Sequence, residues 1–364
     1  MGSPSAQTNH RGIPACAAYS RLVPTDDIDS RAIPTDALVA DIVEVFGLAG
    51  RIAWSDLGGS WTTNILIAGA GEPVVARLHQ GGTSADRLLA EQAARLALAD
   101  AGIPAVRPLP TPAGRTVVRL AAGRLAELEP FVAWDTRMNT GPLVRQGFGI
   151  LARVHDVLRT TELPTAARTA PHANHIFAAD AAAATRLGAQ RINSWGDANL
   201  ARFAAEVVAH VDAVAAAEER LRAGRLTQIV HGDFWDNNVL FNGDDLAAVI
   251  DFDFMAERPR IDDLALTAYF WFLEPGKGVP GAAEARELRS FVDAYDAAAV
   301  IPLSPLERLA LPLAIARQPA WSVGRWIPVL EHGHAVRHAR EAAAELPVAE
   351  AILADLARWQ DALS

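Results

Sequence analysis

Two short polar runs set among apolar β-formers carry the groups best suited to chemistry. The first is Ile229-Val230-His231-Gly232-Asp233-Phe234-Trp235-Asp236-Asn237-Asn238-Val239-Leu240-Phe241, and the second is Val249-Ile250-Asp251-Phe252-Asp253. Such flanks predict strands, which would bring His231, Asp233, Asn238 and Asp251 together at one end. Carboxylates and an amide gathered out of water need a cation. A carboxylate, an amide five residues later and a second carboxylate thirteen residues after that suit a hydroxyl-orienting base followed by two ligands for a hard, oxygen-seeking ion such as Mg2+. A His-Gly-Asp tripeptide alone is an ordinary turn with Asp233 as a cap; the two runs in this order favour phosphoryl transfer.

The order H-G-D-x-x-x-x-N followed by I-D-F-D is similar to the catalytic and metal loops of protein kinases. It resembles more closely the aminoglycoside phosphotransferase and choline kinase-like superfamily. Within that group, F-W-D-N-N-V-L-F and A-V-I-D-F-D-F look like bacterial homoserine kinases of the same fold and related small-molecule kinases. The helix Leu151-Ala152-Arg153-Val154-His155 and the run Asp262-Asp263-Leu264-Ala265 fit the same pattern. The resemblance implies an α+β, bilobal protein-kinase-like fold with a small antiparallel-sheet N-lobe and a larger, mostly helical C-lobe. It further implies ATP and Mg2+ as cofactors and a small-molecule hydroxyl as the phosphoryl acceptor. On that basis Asp233, with His231 beside it, forms the catalytic set, Asn238 and Asp251 are metal ligands, and Asp263 braces the catalytic loop.

The totals fit this picture. A chain of 364 residues with 51% hydrophobic content has material for two lobes, and a formal net charge of -10 lacks the basic surface that nucleic acid requires. The expected division is an extension over 1–34, a nucleotide-binding lobe over 35–131 and a catalytic, acceptor-binding lobe over 132–364. The single cysteine, Cys16, excludes an internal disulfide framework. No long apolar run or signal segment is evident, so a cytoplasmic protein with no membrane partner is expected, as monomer or homodimer. Lys277 is the one lysine among 33 basic residues, so any contact that kinases assign to a strand lysine must fall to another group.

Within the first lobe, a helix is expected from Thr35 to a stop at Gly47, then strands over 51–57, 63–68 and 74–79. The turn Gly58-Gly59-Ser60 sits where backbone amides would approach phosphate oxygens, although such a turn is more often a plain hairpin. Arg77 stands on the third strand, where its fork can meet phosphates. A helix over 83–101, capped by Thr83, carries Glu91, which the resemblance makes the partner of the strand cation and periodicity alone makes a solvated acid. The stretch 127–132, with Glu129 and Phe131, reads as a hinge whose backbone groups would meet an adenine edge.

Acceptor recognition is expected from Trp235, Asp236, Asp262, Trp271 and Arg325. The acids Asp236, Glu257, Asp262 and Glu274 suit an ammonium group, as in amino sugars, aminoglycosides or amino alcohols. Arg258, Arg260 and Arg325 suit a carboxylate, as homoserine would require. Both sets are present, and charge does not choose between them. A non-catalytic nucleotide-binding pseudokinase is a further reading, to which Arg77 in place of lysine lends a little weight. Protein Ser/Thr phosphorylation by the same fold is another, but no A-P-E anchor follows Asp251.

Overall fold

The computed structural model describes residues 31–59, 62–69, 71–170, 178–221 and 223–364. Ser60 and residues 1–30 of the expected extension lie outside them. Residues 31–34 are tied to the first lobe: Arg31 pairs with Asp56, and the Ala32 carbonyl accepts the Thr63 hydroxyl at 2.8 Å.

Helix α1 (Asp36–Phe46) starts where the Thr35 side chain accepts the Leu38 N–H and ends at Gly47 in the left-handed region. It lays Val39, Ile42 and Phe46 onto an antiparallel sheet. That sheet comprises β1 (Ala53–Gly58), β2 (Thr63–Ala68), β3 (Val74–Leu78), β4 (Val118–Arg119) and β5 (Leu125–Pro130), in spatial order β1-β2-β3-β5-β4. Between β3 and β4 runs α2 (Ala85–Asp100). Its cap is Ser84, whose hydroxyl accepts the Arg87 N–H at 3.2 Å, one residue later than the sequence suggested.

Beyond β5 come β6 (Thr136–Arg137), α3 (Gly141–Thr160), α4 (Ala178–Asn193) and α5 (Ala198–Glu218). Four short strands then form the platform of the site: β7 (Thr227–Val230), β8 (Val239–Asn242), β9 (Asp245–Val249) and β10 (Ala256–Pro259). β7 pairs antiparallel with β10, while β8 lies between β6 and β9. The remainder is helical: α6 (Ile261–Phe272), α7 (Ala282–Ala298), α8 (Pro305–Ala316), a short α9 (Pro319–Trp321), a π-helical turn over Ser322–Trp326, α10 (His332–Ala354) and α11 (Leu356–Leu363). This is the protein-kinase-like α+β architecture expected. Among the described residues no helix is long and apolar enough to cross a membrane.

One apolar cluster fills the first lobe under β1–β5, and a larger one joins α3, α6, α7 and α8 beneath β7–β9. Phe234, Phe241, Phe252 and Val249 belong to the larger cluster. The polar residues of the two sequence runs are therefore anchored by their own apolar neighbours. Each fully buried phenylalanine or valine contributes about 1.5–3 kcal/mol relative to exposure, which makes the platform stiff.

Candidate active site

The loop after β7 is shaped by a backbone that only glycine tolerates. Gly232 has φ +83°, and a Cβ there would fall 2.1 Å from the Phe254 carbonyl oxygen. Its approach is fixed by Asp263, whose two oxygens accept the N–H groups of His231 at 2.8 Å and Gly232 at 2.9 Å. His155, which donates or accepts at both Tyr295 (2.9 Å) and Asp263 (3.2 Å), is a packed core residue behind that brace.

His231 is a positioning residue, which corrects its placement in the catalytic set. It is 0% exposed, its Nδ1 accepts the Asp233 N–H at 3.2 Å, and its Nε2 meets the Ile250 carbonyl at 3.0 Å. The Asp233 donor fixes the tautomer with the proton on Nε2. Burial drives its pKa down to about 4 against the pull of Asp263. A neutral ring with both nitrogens engaged has no proton to exchange with a substrate. It instead ties the Asp233 loop to the residue that precedes Asp251.

Asp233 and Asn238 meet, and the loop that carries Asp251 is joined to them through the backbone. The Asn238 amide donates to the Asp233 carbonyl at 2.8 Å and to Asp233 Oδ2 at 2.7 Å. This turns the Asn238 oxygen the other way. The Ile250 N–H donates to the Asn238 carbonyl at 2.9 Å, so the two loops share a backbone bond immediately before Asp251. Among the described residues Asp251 is the only non-glycine with positive φ, at 63°; aspartate tolerates that region better than most residues, at a cost of about 1–2 kcal/mol. Burial and the charge of Asp253 push its pKa up.

An amide oxygen and a carboxylate are hard donors, and among the described residues no group of three or more acidic, His or Cys side chains could hold a metal. Two such donors would not make a closed cage; they would suit an ion that takes most of its oxygen ligands from elsewhere, as Mg2+ does.

Arg77 reaches this corner from β3. One guanidinium nitrogen lies 3.1 Å from Asp251 and 2.9 Å from Asp253, and the other is 3.8 Å from Glu129. Although burial opposes its charge, Asp253 and Asp251 hold it protonated. The half-buried Asp253 carboxyl is held below its usual range, against the effect of desolvation, by Arg77, His79 and the Thr62 hydroxyl, which donates to it at 2.6 Å.

The expected Arg77–Glu91 pair is not formed. Glu91 accepts from Arg87 Nε at 2.5 Å, and burial together with Asp253 pushes its pKa up to about 8. The sequence carries no sign of Arg87 as a partner, and it marks Asp253, which stands where the kinase D-F-G has glycine, for a second ion rather than for Arg77.

A cleft opens beside Arg77 and Asp251. Leu57, Val75, Val106, Trp134, Leu240 and Ile250 give it apolar walls. Gly58 and Gly59 follow Leu57 of that wall in the chain, with φ +87° and +118°, and a Cβ on Gly59 would lie 2.1 Å from the Thr62 carbonyl oxygen.

At the hinge, β4 flanks β5 only at Leu125 and Ala126, and the Leu109 N–H donates to the Leu128 carbonyl at 2.7 Å, so the expected edge is narrowed to the residues after Leu128. The Phe131 N–H donates to Pro73 at 2.9 Å, so it is unavailable to a ligand. Glu129 pairs in register with Val75, two residues from that bond and hence at a hydrogen-bonded position of the ladder. Its side chain pairs with Arg95. Pro130 faces Val74 at a non-bonded position, which directs its carbonyl away from β3.

The acceptor-side expectations fare unevenly. Trp235 stacks on Phe270 at 4.4 Å, and its buried indole N–H has no partner. Asp236 pairs with Arg137, and burial raises its pKa despite that contact. Asp262 is a correction: it is 0% exposed and bonds Arg317 at 2.6 Å, an arginine that also pairs with Glu218. Trp271 is a second correction. Its indole donates to Glu287 at 2.9 Å, Lys277 lies 3.5 Å over its ring, and it packs on Phe291 in the core. Arg325 is exposed on the π-helical turn. Arg260 binds Glu307 through two bonds of 2.8 Å, and Glu257 pairs with Arg168. Most of the charges that seemed to speak for an ammonium or a carboxylate are thus committed within the protein.

Comparison with known proteins agrees with this geometry. A family model described as "Phosphotransferase enzyme family" (APH) matches residues 54–301. A homoserine kinase of Methylocella silvestris is 33% identical over 145 residues, which cover 38% of this chain and 43% of that protein. The chain therefore matches under half the length of this curated relative. Among solved structures, a microcompartment-associated aminopropanol kinase superposes with a TM-score of 0.65 at 17% identity, covering 90% of this chain and 98% of that one. An amicoumacin kinase in complex with AMP-PNP, Ca2+ and its antibiotic superposes with a TM-score of 0.61 at 13% identity, covering 84% and 93%.

Proposed function

The chain belongs to the phosphotransferase enzyme family, and on that premise we propose that it transfers the γ-phosphoryl group of ATP to a hydroxyl of a small molecule. The observation that carries this reading is the bond of 2.7 Å between Asn238 and Asp233, on a loop tied by the Ile250 N–H to the one that holds Asp251 3.1 Å from Arg77. Such transfer proceeds through a loose transition state that needs positioning and charge neutralisation, so few residues suffice.

Asp233 orients the acceptor hydroxyl and takes its proton as the new O–P bond forms and the bond to ADP breaks. Asn238 and Asp251 would hold Mg2+, which when bound offsets phosphate charge. Arg77 turns part of its fork from Asp251 and Asp253 to the phosphates, under the Gly58–Gly59 turn. The adenine lies between the apolar walls of the cleft. With Phe131 N–H engaged, the Pro130 carbonyl and the Val132 N–H are the hinge groups assigned to its edge. Trp235, Asp236 and Arg325 remain the acceptor-side residues.

An amino alcohol is the acceptor class we favour. The support is that one relative is named for homoserine and one structural neighbour for aminopropanol, both short amino alcohols. Aminoglycosides belong in the same test. We place the reaction in the cytoplasm.

Acceptor-dependent ADP release with Mg-ATP, measured across homoserine, aminopropanol, choline-like alcohols and aminoglycosides, tests the reading. One class should stimulate release, and Asp233→Asn should abolish the stimulation. Tight Mg-ATP binding with no stimulation by any hydroxyl compound would instead favour a non-catalytic module.

A further inference from the structure

The five N–H groups of buried Arg87 are all accounted for, one within α2 and four by carbonyls of the second lobe. Nε donates to Glu91 at 2.5 Å. Nη1 donates to the carbonyls of Ala166 at 3.0 Å and Thr169 at 3.1 Å. Nη2 donates to the carbonyls of Phe252 at 3.2 Å and Asp253 at 3.1 Å. An arginine has five such donors in a planar fork, and this one is 4% exposed.

Helix stability does not explain it. Arg87 sits in the first turn of α2, two residues after Ala85, where a cation opposes the helix dipole. Burial of the charge is a second cost. What offsets both is the set of carbonyls, two of which belong to the loop that presents Asp251. That loop has little other backbone support: among the described bonds, the Asp253 carbonyl accepts only from Arg87, while the Phe252 carbonyl also accepts the Met255 N–H at 3.0 Å. Asp251 meanwhile is held at φ 63°.

We propose that Arg87 is a positioning residue that fixes the Asp251–Asp253 loop from α2, so that the helix of the first lobe acts on the metal-binding carboxylate through the loop's backbone. This replaces the strand-cation to helix-acid pair expected from the sequence. Glu91 serves Arg87, and Arg77 pairs instead with the side chains of the same loop. The inference rests on the reading of Asp251 as a metal ligand, so its test must separate the two.

The test is binding of AMP-PNP to the full chain with and without Mg2+, followed calorimetrically, for wild type, Arg87→Met and Arg87→Lys. The readout is the factor by which Mg2+ tightens nucleotide binding. Wild type should show a clear factor; its absence would remove the metal-site reading itself, before any variant is compared. Arg87→Met should lose at least tenfold of that factor while metal-free nucleotide affinity stays within threefold. Arg87→Lys keeps the charge but has three donors rather than five, and should fall between the two. If Arg87→Met does not fold, Arg87→Lys decides alone, with a loss of threefold or more expected. A variant that folds and keeps the full wild-type factor overturns the proposal.

Discussion

Stability on the acid side should report on His231. In the folded protein the ring is fully buried, and burial lowers its pKa from 6.5 to about 4. A histidine whose folded pKa lies below its unfolded one binds protons less readily when folded. Its stabilising contribution is therefore complete above pH 6.5 and is lost as pH falls through the window from 6.5 to about 4. With those two values, linkage gives a loss of about 2.5 kcal/mol between pH 7.5 and pH 4.5. The comparison is with His231→Gln, whose amide can still donate to the Ile250 carbonyl but cannot titrate. Denaturant unfolding of both proteins at the two pH values isolates the ring, because every other titrating group is common to both. At pH 7.5 the wild type should be the more stable by about 1–2 kcal/mol, for the fitted bonds to Ile250 and Asp233. At pH 4.5 the difference should vanish or reverse. A difference that stays constant within about 0.5 kcal/mol would refute the buried neutral ring. The assignment to positioning would fail separately if His231→Gln removed as much activity as Asp233→Asn.

Asp233→Asn should lower acceptor-dependent ADP release by about three orders of magnitude or more, while equilibrium nucleotide binding moves little. Gly59→Ala, which would push a Cβ to 2.1 Å from the Thr62 carbonyl oxygen, should destabilise the turn by about 1–3 kcal/mol and raise KM for ATP more than KM for the acceptor. Asp262→Ala leaves Arg317 without one of its two buried partners, so unfolding free energy should drop by about 3–5 kcal/mol with KM for the acceptor unchanged. A selective rise in that KM would return Asp262 to the acceptor site.

What the sequence made legible, and what it hid, divides along physical lines. Asp233, Asn238 and Asp251 were readable because their spacing is dictated by strands only four or five residues long, and the same apolar flanks that mark those strands also bury them. The turn at Gly232 belongs to the same run, while the brace from Asp263 was implied by the family resemblance. The side chains that reach across the molecule were not readable. Arg77 lies 174 residues from Asp251 and 176 from Asp253, and whether it meets Glu91 or those aspartates depends on how α2 is rotated against β3. The Arg87 contact that fastens α2 to the same loop is equally remote, 165 residues from the Phe252 carbonyl. An arginine in the first turn of an amphipathic helix reads as a surface charge until its carbonyl partners are known. Asp262 failed for a related reason. Beside Asp263 and within the motif it looked like a pocket acid, but helix α6 turns adjacent residues about 100° apart, sending Asp263 to the catalytic loop and Asp262 to Arg317. One position of helical phase separates a residue that shapes the site from one that holds the core.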